Sequence, residues 1–205
     1  MLIAVTGGMG SGKSLLGEIL AGCAEVYDAD KITRDLQAVG GAAYEPLVRA
    51  FGAAYFTPEL DRARLGRAVF ADKKMLDRLN GIMRPLVKKE IEKIARAHGK
   101  PVFVLVPLLF EANLIDMFDA VWLVAAGEGA RKKRTAARDP HLSSTEIDAR
   151  FAAQLSEAAR LDNFQKAAAL VKFPALNRIV ENNGSVEEFK EKVLSAFHSL
   201  FDNLY

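Results

Sequence analysis

The 205-residue chain has one cysteine, Cys23. An intrachain disulfide is thereby excluded, and the composition suits a reducing compartment. Cys23 is expected to pack within the first helix. The longest apolar run, Val102 to Phe110, is broken by Pro107 and is too short to span a bilayer. The N-terminus lacks the basic flank and cleavage site of a secretory signal, so a cytoplasmic protein without a membrane partner is expected. No long run of like charge occurs either. The 28 Lys and Arg residues against 26 Asp and Glu leave a net charge of +2, too weak to argue for nucleic acid. Internal repeats are missing, and His98, His141 and His198 lack metal-ligand spacing, so they read as surface or helix-end residues. Also missing are the Asn-Lys-x-Asp and Asp-x-x-Gly elements that guanine-specific switches need.

What is present begins at residue 7. Gly7-Gly8-Met9-Gly10-Ser11-Gly12-Lys13-Ser14 fits the phosphate-binding pattern GxxxxGK[ST] without a mismatch. Glycines let the backbone curl around an anion with its N–H groups inward. A lysine can then reach the β- and γ-phosphates, and a Ser hydroxyl can ligate Mg²⁺. The flanks agree: Leu2–Thr6 reads as a buried strand, and Ser14 to Leu20 has helical spacing of apolar residues. The loop therefore opens a helix, where the dipole favours phosphate. A plain glycine-rich turn would explain the glycines but not the Lys-Ser pair.

Strand candidates are Leu2–Thr6, Glu25–Asp28, Val102–Val106, Ala120–Ala125 and Arg178–Glu181, separated by helical stretches. That alternation predicts an α/β fold, a five-stranded parallel sheet with helices on both faces. Half the residues are hydrophobic, enough for a sizeable core. A segment without strand character, with helical parts Asp72–Leu79 and Leu86–His98, follows the second strand. Another helical excursion runs from Glu128 to about Val171. The expected division is a nucleotide-binding core (1–30, 99–127 and 172–205), a helical acceptor domain (31–98), and a lid with its following helix (128–171). A small P-loop kinase needs two such excursions, one to hold the acceptor and one to close over ATP and exclude water.

Asp28 and Asp30 end the second strand, where open α/β sheets bind ligands. One could take the proton of an attacking hydroxyl while the other helps to order a Mg²⁺ shell; alternatively one caps a helix starting near Lys31. Asp30 is preferred as the base. Pro107 takes the third strand out of the sheet toward Glu111, which either faces the site or caps a following helix. After the fourth strand, Arg131, Arg134 and Arg138 share a helix face and can hold the charge of a transferring phosphoryl group. Ser143 or Ser144 with Glu146 marks the next helix start, and Arg150 and Gln154 lie one turn apart on that helix. Asn182-Asn183-Gly184 forms a turn at a strand end that can meet an adenine edge, or is only a turn.

Together these elements resemble the dephospho-CoA kinase family. The resemblance rests on Thr6 through Ser14, Asp28-Ala29-Asp30, Pro107-Leu108-Leu109-Phe110-Glu111, Lys133-Arg134-Thr135 with Arg138-Asp139, Gln154, and Asn182-Asn183-Gly184. It implies transfer of the γ-phosphate of Mg·ATP to the ribose 3′-hydroxyl of dephospho-CoA. By it Asp30 is the base, Lys13 and Arg138 stabilise the transition state, and Ser14 is the metal ligand. Gly8, Met9, Gly10, Ser11, Gly12, Lys13, Ser14, Arg134, Asn183 and Gly184 then hold the nucleotide. Asp28, Arg84, Leu108, Glu111, Arg150 and Gln154 contact the acceptor. The sequence departs from the family pattern in four places. Leu105 replaces an acidic residue, Arg84-Pro85 replaces His-Pro, the segment after Gln154 is longer, and Asn177-Arg178 replaces Ala-Asp. A nucleoside monophosphate kinase, another small-metabolite kinase, or a non-catalytic relative is the alternative.

Overall fold

The structure is a computed structural model that describes residues 1–98 and 100–202; Gly99 and residues 203–205, which the sequence reading assigns to the core, lie outside the described residues. In chain order the elements are β1 (Leu2–Thr6), α1 (Lys13–Leu20), β2 (Glu25–Asp28), α2 (Ala29–Gln37), α3 (Tyr44–Phe51), α4 (Arg62–Ala71) and α5 (Lys73–Ala97). Then come β3 (Val102–Leu105), β4 (Ala120–Ala125), α6 (Glu128–Arg138), α7 (Ser144–Ala152), α8 (Glu157–Ala167), β5 (Arg178–Glu181) and α9 (Val186–Asp202). The chain divides into two compact units: Met1–Tyr27 with His98–Tyr205, and Asp28–Ala97.

The first unit is built on a five-stranded parallel sheet of order β2-β3-β1-β4-β5. Its central strand β1 pairs with β3 through Leu2↔Val102 to Val5↔Leu105, and with β4 through Ile3↔Ala120 to Thr6↔Leu123. Every residue of β1 is buried, as expected of a strand covered on both faces. Ile3, Val5, Phe103, Trp122, Val124 and Val180 occupy one face by strict alternation. They pack against Leu16 and Leu20 of α1 and Phe189, Val193, Phe197 and Leu200 of α9. Phe103 meets Trp122 edge-on at 5.0 Å between centroids, and the Trp122 indole N–H donates to the Leu176 carbonyl at 3.2 Å. This rigid core fixes the carboxyl end of β1, from which the phosphate loop departs.

The second unit is helical throughout, apart from short connections. Ile32 and Leu36 of α2, Leu47 of α3, Phe56 before α4, Leu65 and Val69 of α4, and Met83, Val87 and Ile91 of α5 are among its buried apolar side chains. The long α5 packs against α2, α3 and α4.

Four local expectations are corrected here. The helical parts expected at Asp72–Leu79 and Leu86–His98 are one helix that runs through Pro85. Proline crowds the carbonyl four residues back, but that residue is the exposed Gly81, whose position on the surface lets its carbonyl turn to water. The helix after β2 begins at Ala29 rather than near Lys31, because Asp28 caps it. Helix α1 stops at Leu20, which leaves Cys23 exposed in the following turn. No helix begins at Glu111: residues 107–113 form turns closed by Ala112 N–H to Leu108 O and Asn113 N–H to Phe110 O. Among the described residues, no helix is long and apolar enough to cross a membrane.

Candidate phosphate-binding site

The loop from Gly7 to Ser14 joins β1 to α1, and its glycines are required by conformation and by close neighbours. Gly10 has φ 72° and Gly12 φ 105°, in the region that L side chains rarely adopt. A Cβ on Gly10 would collide with the Arg131 carbonyl oxygen, and one on Gly12 with the Asn182 side-chain amide. The loop is closed by the Ser11 N–H donating to Gly8 O at 3.1 Å. Lys13 reaches back over it, its ammonium donating to Gly7 O at 2.6 Å and Gly8 O at 3.1 Å. Ser14, in the first turn of α1, is exposed.

Lys13 stands among other cations. Its pKa is lowered from 10.5 to about 8, first by burial and then by the charges of Arg160, Arg138 and Arg131; Glu111 alone pulls the other way among the named causes. The protonated form of Lys13 is thus disfavoured by on the order of 3 kcal/mol, first through burial and then through repulsion by the neighbouring arginines. Bound phosphate would supply the missing negative charge.

Helix α6 carries this field to the loop. It buries Arg131 and Thr135, four residues apart, on the face toward the loop. The Arg131 Nε–H donates to Ala126 O at 3.1 Å, and its guanidinium lies 5.0 Å from the centroid of the Phe151 ring. Arg134 donates to the Asn182 carbonyl at 2.9 Å and to its amide oxygen at 3.2 Å, and the Asn182 Nδ2 donates to Ser11 O at 2.8 Å. Helix α6, the end of β5 and the loop are thereby tied in one chain of hydrogen bonds. Asn183 Oδ1 accepts from the Gly127 N–H at 2.9 Å, so the Asn-Asn-Gly turn braces the site with its amide oxygens. Gly184 is packed against Glu188 so closely that a Cβ would strike the carboxylate. The three arginines expected on one face diverge in exposure: Arg131 is buried, Arg134 half-buried and Arg138 exposed, paired with Asp139 at 2.7 Å.

Helix α7 has the anticipated capping box, Ser143 accepting from the Glu146 N–H while the Glu146 carboxylate accepts from the Ser143 N–H. It ends at Ala152, so Gln154 lies beyond it and not one turn from Arg150 on the same helix. Released from the helix, Gln154 turns to the loop, its Oε1 accepting from the Met9 N–H at 3.0 Å. Arg150 and Leu108 are exposed. Glu111, exposed too, acts on Lys13 through its charge, and with no helix after it the capping alternative falls away.

In the helical unit, the Asp28 carboxylate accepts from the N–H groups of Asp30 at 2.7 Å and Lys31 at 3.3 Å. The cap is therefore Asp28, and the exposed carboxylate of Asp30 is not occupied with it. Arg84 is half-buried on α5.

Sequence reasoning passed over Arg160, Glu157 and the bracing role of Asn182. Arg160 was legible in principle: it stands at i, with Phe164 at i+4 and Ala167 at i+7 on the buried face of α8. A charged residue on an apolar stripe signals a built interior contact.

A parallel sheet whose first strand delivers such a loop, under a helix that supplies arginines, defines a P-loop kinase. The comparisons narrow this class. The dephospho-CoA kinase family model matches residues 1–172, and the chain belongs to that family. The dephospho-CoA kinase of Moorella thermoacetica is 37% identical over 97% of this chain and 92% of its own length. The structure of TT1252 from Thermus thermophilus superposes with a TM-score of 0.78 at 30% identity, covering 97% of this chain and 96% of that one. The dephospho-CoA kinase from Campylobacter jejuni shares the fold, with a TM-score of 0.62 at 23% identity over 100% of this chain and 98% of that one.

Proposed function

We propose that the protein phosphorylates the ribose 3′-hydroxyl of dephospho-CoA with ATP, giving coenzyme A and ADP. The observation that carries this reading beyond family membership is the excess of positive charge around Lys13, placed where a polyphosphate would lie. Backbone N–H groups of the loop and the N-terminus of α1 hold the β- and γ-phosphates. Lys13, freed from the Gly7 and Gly8 carbonyls, moves to the phosphate oxygens. Arg138 stabilises charge on the transferring group once it leaves Asp139. Asp30 takes the proton of the attacking hydroxyl, a role supported by its exposed carboxylate while Asp28 serves the helix. The helical unit 31–98, with Arg84, receives the acceptor, and residues 128–171 cover the nucleotide. Leu108, Glu111, Arg150 and Gln154 complete the acceptor contacts.

The donor set suits Mg²⁺ arriving with the nucleotide. Ser14 offers an exposed hydroxyl beside Lys13, and among the described residues no three His, Cys, Asp or Glu side chains converge to hold an ion by themselves. Mg²⁺ keeps several waters and takes few protein ligands, so one hydroxyl with phosphate oxygens is a sufficient seat. When bound it neutralises charge on the β,γ-phosphate oxygens. The partners are thus small molecules, and the enzyme works in the cytoplasm. Product identity tests the reading. The product should gain one phosphate by mass and serve as substrate for a CoA-dependent acyltransferase. A phosphorylated product that the acyltransferase refuses would contradict the 3′ assignment.

A further inference from the structure

Two arginine side chains beside the loop are almost completely buried. Arg160 is 2% exposed and Arg131 3% exposed. Burying a guanidinium costs several kcal/mol unless charge and hydrogen bonds answer it. The charge is answered by one carboxylate: Glu157 Oε2 lies 2.9 Å from Arg160 Nη1 and 3.6 Å from Arg131 Nη2, while Arg131 donates its hydrogen bond to Ala126 O. Arg160 also donates to Leu155 O at 2.8 Å. Two buried cations thus share one anion, and the other oxygen of that anion, Oε1, is buried without a protein partner. A cluster built only to hold the fold would be better served by one arginine, or by an apolar side chain at residue 160 continuing the stripe of Phe164 and Ala167.

The surplus charge is aimed. An added Cβ on Gly8 would lie 3.0 Å from Arg160 Nη1 and would collide with Arg131 Nη1. Both guanidiniums therefore press on the backbone of the phosphate loop, where only glycine leaves room for them. From Arg160 the contacts run through Glu157 to Arg131, and from Arg131 to the backbone around Gly8 and Gly10.

Resting on the function proposed above, we infer that Arg160 is a positioning residue for phosphoryl transfer, seated by Glu157 against Gly8 so that it and Arg131 set the loop's hold on phosphates. Arg160 acts through the loop and through Arg131. Glu157 acts as the opposing weight, holding both forks in place while limiting the charge they present.

The opposite signs of these roles make the test. Inorganic tripolyphosphate and ATP are titrated calorimetrically into the full chain and into Arg160→Lys, Arg160→Met and Glu157→Gln, alongside thermal melts and steady-state kinetics. Arg160→Met should weaken tripolyphosphate and ATP binding about 30-fold, with the KM for dephospho-CoA within about twofold of the parent value. Arg160→Lys, which keeps the charge but loses the fork, should recover about a third to a tenth of that loss. Glu157→Gln should bind tripolyphosphate several-fold more tightly than the parent, about 3- to 10-fold, even though it melts at a lower temperature. Weaker binding in the arginine variants together with tighter binding in Glu157→Gln supports the inference, because a merely structural cluster would weaken all three with stability. Tripolyphosphate affinities within twofold of the parent in folded Arg160→Met and Arg160→Lys would overturn it. Should Arg160→Met not fold, Arg160→Lys and Glu157→Gln decide by the same signs. If the parent binds tripolyphosphate with this pattern but does not phosphorylate dephospho-CoA, the acceptor reading fails and the role of Arg160 stands.

Discussion

The two units meet their tasks by different physics. In the sheet unit, the site is over-determined. Gly10 and Gly12 leave no room for side chains, Asn182 ties Ser11 to Arg134, and cations crowd Lys13 at a cost to the unliganded protein. In the helical unit, the residue assigned to the chemistry is an exposed carboxylate on the first turn of α2, beside an ordinary Asp cap. A phosphate chain is the same in every kinase of this class, so its seat can be rigid and preorganised. The acceptor differs between kinases, and the unit proposed to receive it is joined from helices, with Gln37 its buried polar residue among the described ones.

If the difference is real, variants in the two units should fail in different ways. The largest effect is expected for Lys13→Met. Turnover should fall about 10³-fold or more, while the unliganded protein becomes more stable near neutral pH by about 1 kcal/mol, as a repelled cation is removed. A coupled assay and a denaturant melt read the two quantities, and a strongly destabilised variant would break the comparison. Asp30→Asn is next, expected to lower kcat about 10²- to 10³-fold with ATP affinity within about twofold, since it acts only in the chemical step. Equal loss of ATP binding would place Asp30 in nucleotide binding instead. Asn182→Ala should weaken ATP binding and cost about 2 kcal/mol of stability, because buried Ser11 O loses its donor and Arg134 keeps only the residue 182 backbone carbonyl of its two acceptors there. Unchanged affinity there would mean that the brace does not shape the loop.

The smallest effect is on stability against pH. Lys13 titrates near 8 in the folded chain and at its ordinary 10.5 when unfolded, so between these values the unfolded chain holds more protons. The penalty on the folded state is therefore full below about pH 8 and fades as pH rises toward 10.5. The stability advantage of Lys13→Met over the parent should shrink across that window. An advantage that stays constant would show that burial among the arginines does not lower the Lys13 pKa in the folded chain.

The same contrast explains what the sequence could disclose. The strands were legible because β4 is a fully apolar run and β1 is one as far as Thr6, and the loop was legible because its glycines and Lys-Ser pair follow a mechanical pattern. The capping box at Ser143 and Glu146 was local and therefore readable. The path of α5 through Pro85 was not, since tolerance there depends on Gly81 lying at the surface. The turn after Pro107 was also hidden: Glu111 resembles a helix cap until the Leu108 and Phe110 carbonyls are seen closing turns. The exit of Gln154 from α7 escaped notice because its partner, Met9, is 145 residues away. Arg160 escaped for a similar reason, its meaning depending on Gly8 and on a carboxylate shared with Arg131. Local rules disclosed the elements, whereas long-range charge sharing disclosed itself only in three dimensions.

The most direct test of the account is ADP release from Mg·ATP, followed through a coupled assay, with dephospho-CoA beside AMP, CMP, shikimate and no acceptor. The account predicts rapid turnover with dephospho-CoA alone and loss of that turnover in both Lys13→Met and Asp30→Asn. Tight ATP binding with no transfer to dephospho-CoA, or faster transfer to another acceptor, would contradict it.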